Sequence, residues 1–278
     1  MKELLVDIET TGLAANDQVT VCGLLKTSTE AFNIHYLIPE QLQDNTDQNE
    51  LTAELLDHIE TTLPEEITET YQFKLRGWES EQELLEKAYN DVYADTENIR
   101  IVGYNSDSYD LPTLRTRSVI NNVDWGFGGC TSRDLYTLFQ YKFNTTSLTV
   151  DGLKKAQKKK FGEEIDAPVD DDMYSAELTD AIEEYGYTPE QLDKFVTSEG
   201  LDRPTKETNS LDHVHELLGD EITQYDPFED SQEAVEAFND GNIAPILIHN
   251  IIDLLTTNEL NNVASEYVSE RDINDRQL

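Results

Sequence analysis

The sequence predicts an α/β fold built on a mixed sheet. Three observations carry this: a meander of short apolar runs at the start, a capped helix leading into another apolar strand, and a succession of helices to the far end. Residues 3–8 form a first strand, and residues 18–26 and 31–38 supply the next two. Residues 40–70 are acidic and polar with weak periodicity, and are expected to be a partly helical insertion. Ser80-Glu81-Gln82-Glu83 is a capping box. Leu84, Leu85, Ala88, Val92 and Tyr93 follow it at helical spacing. Residues 99–104 form a short apolar strand. Leu111-Pro112 opens the next helix, because proline is tolerated in a first turn. Residues 133–143 are expected to be helical. Residues 162–207 are a second expected insertion, in which Thr188-Pro189-Glu190-Gln191 caps a helix through Val196. Residues 210–218, 230–238 and 246–260 are expected helices, and a polar tail covers residues 265–278.

Composition narrows the class. A hydrophobic content of 37% is enough for a buried core. No run approaches the roughly 20 apolar residues of a membrane span, so no membrane partner is expected. The first apolar stretch is short and interrupted by acids, unlike a signal peptide. Cys22 and Cys130 are too few for a disulfide framework or a zinc cluster, which points to the reducing cytoplasm. The charge is extreme, with 58 acids against 20 bases and a net charge of -38. The acids are spread between periodic apolar segments, which argues against a disordered acidic tail. Adaptation to high salt explains them better, since the Debye length falls to about 3 Å near 1 M salt. The same screening removes the long-range repulsion between such a chain and a nucleic acid.

The chemistry starts with Asp7 and Glu9. They lie two residues apart in the first strand and so share a face. Paired carboxylates on a buried strand repel and resist desolvation. A hard divalent cation offsets both costs, because it prefers carboxylate oxygen. Asp110 sits where a strand and a polar turn give way to a helix. Alone it fits an N-cap as well as a ligand, and Asp107 is a competing cap. His249 and Asp253 project from one face of an apolar helix. A structural His–Asp pair is the plain alternative there. Joining residues 7–9 with 249–253 requires one domain over residues 1–264.

The three segments resemble the three motifs of the DnaQ-like, or DEDD, 3′–5′ exonucleases. The first is Asp7-x-Glu9-Thr10-Thr11-Gly12-Leu13, the second Asn105-x-x-x-Tyr109-Asp110, and the third ends in Asp253. The stretch from Tyr104 through Leu111-Pro112 to Arg117 is similar to the exonuclease domains of family B DNA polymerases. The resemblance implies an RNase H-like fold, with a mixed five-stranded sheet flanked by helices and carrying helical insertions. It implies that Asp7, Glu9, Asp110 and Asp253 hold two Mg²⁺ or Mn²⁺ ions roughly 4 Å apart. His249 would orient or deprotonate water. The substrate would be a single-stranded 3′ end, DNA in preference to RNA, with nucleoside 5′-monophosphates released. Thr10 and Leu13 would lie against the terminal nucleotide, and Asn105, Tyr109 and Arg117 along the strand. One departure stands out: the Tyr subclass reads Tyr-x-x-x-Asp and the His subclass His-x-x-x-x-Asp, whereas His249 occupies the Tyr spacing. A weak or inactive binding module of the same fold, or a related endonuclease or resolvase, remains an alternative.

Bases are scarce, so their clustering is informative. Lys154, Lys155, Lys158, Lys159 and Lys160 gather within one short stretch. In an ordinary protein this is a solvated helix face. In a chain this acidic it is expected to be a phosphate-binding track, and Arg115, Arg117 and Arg133 are further candidate strand contacts.

Overall fold

Strand β1 (Lys2–Thr10) is largely buried on both faces and takes an interior place in a sheet, with Leu4, Val6 and Ile8 on one face and Leu5 between acids on the other. In the computed structural model the described residues are 2–43, 47–93, 99–145, 210–219, 221–228, 231–269, 273 and 275–278. Two compact units emerge, Met1–Leu138 with Leu218–Leu278, and Phe139–Leu217.

The first unit contains a seven-stranded mixed sheet in the order β4-β3-β2-β1-β5-β6-β7. Its strands are β1, β2 (Val19–Lys26), β3 (Ala31–Leu37), β4 (Gln72–Trp78), β5 (Ile99–Gly103), β6 (Thr131–Asp134) and β7 (Arg276–Gln277). β1, β2 and β3 form the expected antiparallel meander. β5 joins β1 in parallel, and β6 joins β5 in parallel. β4 pairs with β3 in parallel. Parallel neighbours need a long crossover, and the polar residues 40–70 provide it as α1 (Glu40–Gln43), α2 (Gln48–Thr62) and α3 (Glu65–Thr70).

Five strands were expected, and the sheet formed by the described residues has seven. The expected helix from Arg133 is also corrected: residues 131–134 are a strand, and α6 begins at Leu135 (Leu135–Lys142). Thr-Ser-Arg-Asp carries no apolar residue, yet it lies inside the sheet because Arg133 is neutralised there. Arg133 is fully buried and reaches Glu3, Asp275 and Asn261 at 3.4–3.5 Å. Arg100 on β5 bonds the same acids, Glu3 at 2.9 Å and Asp275 at 2.6 Å. The tail strand β7 closes over β6, and the Leu278 amide donates to the Cys130 carbonyl.

Helices cover both faces of the sheet. The even-numbered face of β1 (Leu4, Val6, Ile8) packs with Leu84, Leu85 and Ala88 of α4 (Glu81–Tyr93) and Leu111 and Leu114 of α5 (Asp110–Asn121). The capping box forms as expected, with the Glu83 amide donating to Ser80 Oγ at 3.3 Å. The odd-numbered face of β1 meets the last long helix, α9 (Ile243–Tyr267), which also contacts β2, α2 and α8 (Ser231–Asn239). α9 outruns the expected helix at both ends, and most of its side chains are buried. No helix among the described residues is long and apolar enough to cross a membrane.

In the second unit, Phe139 and Phe143 pack with ring centroids 4.6 Å apart. His213 on α7 (Leu211–Leu218) meets the Thr145 carbonyl at 3.0 Å. The expected insertion at 162–207, its capped helix and the lysine cluster lie outside the described residues.

Arg117 is not the strand contact that the sequence suggested. It is buried on α5 and paired with Glu81, which is buried too. The Glu81 carboxylate also accepts from the Val19 amide and from Asn121. Removing one partner of a buried pair leaves an uncompensated charge, typically costing about 3–5 kcal/mol. Arg117→Ala is therefore expected to lower stability by about that amount in chemical denaturation, through Glu81 rather than through nucleic acid. The double change Arg117→Met with Glu81→Leu should recover part of the loss.

Candidate metal centre

β5 pairs with β1 only over Lys2–Leu5, so residues 6–10 run on past the end of their parallel neighbour. The space beyond the carboxyl ends of parallel strands is where open α/β sheets gather binding groups. Asp7 and Glu9 lie on this overhang, side by side in period two. Asp110 follows β5 as the first residue of α5. Its carboxylate accepts the backbone N–H of Ile8, which is open because β5 has already ended, and its own backbone N–H. The register against β2 shifts between Glu9 and Thr10, where Thr20 of β2 is left without a cross-strand partner on β1.

His249 and Asp253 face the same place from α9, one turn apart. His249 Nε2 is 3.9 Å from Glu9 Oε1 and 3.9 Å from Asp253 Oδ2. Its other nitrogen, Nδ1, lies 2.7 and 2.9 Å from the two oxygens of Asp226. Asp7 is held from the next residue along the helix, where Asn250 Nδ2 donates to Asp7 Oδ2 at 2.7 Å. That approach depends on Gly23, the cross-strand partner of Asp7. A Cβ at Gly23 would stand 1.9 Å from Asn250 Oδ1 and 2.7 Å from Leu254 Cδ1.

The second motif shapes the rim. Asn105 adopts a left-handed conformation (φ 58°), which asparagine tolerates better than most residues. Asp134, at the end of β6, accepts the amides of Asn105, Asp107 and Tyr136 at 2.9–3.2 Å and so fixes the turn. Asp107 accepts from Ser132 at 2.7 Å, which accounts for it without a ligand role. Tyr109 and Thr10 join hydroxyl to hydroxyl at 2.8 Å. The Gly12 carbonyl is within reach of both, 2.7 Å from Thr10 Oγ1 and 3.3 Å from the Tyr109 hydroxyl, so two protons serve the three contacts. Leu13 stands out of this loop 88% exposed.

The site is therefore assembled largely from the residues the sequence singled out. Asp7, Glu9, Asp110, His249 and Asp253 converge, with Thr10, Tyr109, Asn105 and Leu13 on the loops beside them. Arg117 is elsewhere, with Glu81. Arg133 lies in the Glu3–Asp275 network, and Arg115 is over the Trp125 ring at 4.7 Å. Lys154, Lys155 and Lys158 fall outside the described residues. Asp226, Asn250 and Asp134 were not anticipated. Asn250 stood next to His249 and was legible as a polar break in an apolar helix, whereas Asp226 had no local signal.

Packing so many acids together distorts their titration. Burial, then the charges of Asp253, Glu9 and Asp110, hold Asp7 well above the usual carboxylate range. Burial pushes Glu9 up to about 8, with Asp253, Asp110 and Asp226 adding to the rise and His249 opposing it. Burial likewise raises Asp110 to about 7, against the hydrogen bonds from its own and the Ile8 amide. Burial disfavours a charged His249, but the Asp226 hydrogen bond and the fields of Asp253 and Glu9 prevail and raise it to about 11. The cleft is thus short of positive charge.

The donors available are carboxylate oxygens and a single imidazole nitrogen, a set that suits a hard divalent cation. Among the described residues, Glu9, His249 and Asp253 each offer a ligand atom within 4.8 Å of the other two. No protein-family model matches the chain, and no curated protein matches it at a significant level.

The shifts set the pH response of the metal-free protein. Folded Glu9 and Asp110 retain protons that the unfolded chain releases near its ordinary carboxylate pKa values, so stability falls as pH rises from about 4 through 8. Raised His249 acts in the same sense: its contribution is full below the unfolded value of 6.5 and is lost towards about 11. With chelator present, thermal melts should therefore show lower stability at about pH 8.5 than at about pH 5.5. Glu9→Gln should flatten that dependence and raise the melting temperature at the higher pH.

Proposed function

We propose that the protein is a metal-dependent 3′–5′ exonuclease on an RNase H-like fold, removing nucleoside 5′-monophosphates from single-stranded DNA. One observation carries the reading. Acids from the overhang of β1, the start of α5 and the middle of α9 meet in one cleft and raise each other's pKa values. The five inner strands, β3-β2-β1-β5-β6, support the fold assignment as an antiparallel meander extended by two parallel strands.

Asp7, Glu9, Asp110 and Asp253 would hold two Mg²⁺ or Mn²⁺ ions. Such ions, when bound, neutralise the phosphodiester and acidify water. The chain's own groups do the rest. Thr10 and Tyr109 grip the Gly12 carbonyl and set the loop that presents Leu13, an apolar contact for the terminal base. Asn105, exposed on the opposite loop, is placed to bond the strand. Asn250 keeps Asp7 pointed into the cleft. His249 turns Nε2 towards Glu9 and Asp253. The surface charge calls for high salt, which lets an anionic substrate approach an anionic protein. The free, buried Cys22 and Cys130 accord with the cytoplasm as the compartment.

The test uses 5′-labelled linear single-stranded DNA and RNA, closed circular single-stranded DNA, Mn²⁺ and molar KCl. Linear DNA should shorten from its 3′ end with release of mononucleotides, and the circle should stay intact. Asp7→Asn and Asp253→Asn should each lower the rate by more than about 100-fold while keeping the native circular dichroism. Cutting of the circle would turn the assignment to an endonuclease. A protein that binds metal and degrades neither polymer would be a binding module. At about 50 mM KCl, where the Debye length exceeds 10 Å, activity and structure should both be lost.

A further inference from the structure

His249 presents its two ring nitrogens to different partners, and the structure shows how each is fixed. Nδ1 donates to Asp226, with both carboxylate oxygens within 2.9 Å. Asp226 is itself held, since the Phe228 amide donates to its Oδ1 at 3.0 Å. The Phe228 ring packs edge-on against the imidazole with centroids 5.5 Å apart. This clamp leaves Nε2 turned to the acids, equidistant at 3.9 Å from Glu9 Oε1 and Asp253 Oδ2. An ion bonded to nitrogen and oxygen at about 2.1 Å keeps its ligand atoms roughly 3–3.5 Å apart, so drawing these three together requires only a small closure. A carboxylate on the far nitrogen of the ring is the usual support of a metal-ligating histidine, because it fixes the tautomer and raises the basicity of the ligating nitrogen.

We propose that His249 is a metal ligand: Glu9, His249 Nε2 and Asp253 form a mixed nitrogen–oxygen site, with Asp226 as its outer carboxylate, that selects Mn²⁺ over Mg²⁺. This rests on the metal-dependent reading of the cleft and is independent of nuclease activity. The sequence had suggested a water-orienting or proton-accepting role for this residue. The site's selectivity follows from ligand chemistry. Mg²⁺ is a hard ion that holds to oxygen donors and keeps its waters, whereas Mn²⁺, the first member of the transition-metal affinity series, is softer and accepts an imidazole nitrogen more readily. Histidine at this helical spacing brings Nε2 beside Asp253, and the clamp prevents the ring from turning away.

The full chain loaded with Mn²⁺ in molar KCl provides the test. Pulsed electron paramagnetic resonance should show a directly bonded imidazole nitrogen, and His249→Gln should abolish that coupling. Calorimetry should give the wild type on the order of tenfold preference for Mn²⁺ over Mg²⁺. His249→Gln and Asp226→Asn should each weaken Mn²⁺ binding by about 10–100-fold and leave Mg²⁺ binding within about twofold. Absence of nitrogen coupling in the wild type overturns the proposal without recourse to any variant. Equal losses for the two metals overturn it as well. Nitrogen coupling in a protein that degrades no DNA would retain the site and remove the exonuclease, while DNA degradation without coupling would do the reverse.

Discussion

Asp7, Glu9, Asp110 and Asp253 cannot all stay ionised in one desolvated cleft unless positive charge joins them. Much of the architecture serves to bring them there regardless. β5 ends early, which frees the edge amide of Ile8 for Asp110. Gly23 omits a side chain, which admits Asn250 to Asp7. Asp134 gathers three amides to shape the loop ahead of Asp110. In the metal-free protein the cleft retains protons on its acids and on His249, the remaining way to limit repulsion.

The distribution of cations is as telling as that of the acids. A chain with a net charge of -38 uses Arg100, Arg117 and Arg133 internally, each against buried or half-buried acids. Arg100 and Arg133 bind β1, β5, β6, α9 and the tail into one network through Glu3, Asp275 and Asn261. Screening by dissolved salt weakens exposed pairs far more than buried ones. An interior held by such pairs is therefore little affected by added salt. The described part of the molecule thus separates two electrostatic tasks, solvated acids outside and paired ions within.

Those parts of the fold governed by local rules were legible in the sequence. The meander showed in its apolar runs, α4 in its capping box, and α9 in its length of apolar residues. β6 was not legible: Thr131–Asp134 has no apolar residue, and its burial depends on Glu3 and Asp275, far away in the chain. β4 is an edge strand in which Lys74 and Arg76 interrupt Phe73 and Leu75, a pattern too short to distinguish from a loop. Strand and helix periodicities placed Asp7 beside Glu9 and His249 beside Asp253, whereas the resemblance alone joined these pairs to each other and to Asp110. Asp226 was not, since its role exists only once a loop before α8 packs on His249. Arg117 misled for a related reason: a basic residue near the second motif suggests a strand contact until Glu81 is seen to occupy it.

The account rests on cations replacing protons in this cleft. Calorimetric titration of the native protein with Mg²⁺ or Mn²⁺ near neutral pH, repeated in two buffers of different ionisation enthalpy, measures that exchange directly. Release of one or more protons per chain, with metal-dependent stabilisation, is the predicted result. Metal uptake with no proton release, or no uptake at all, would contradict it.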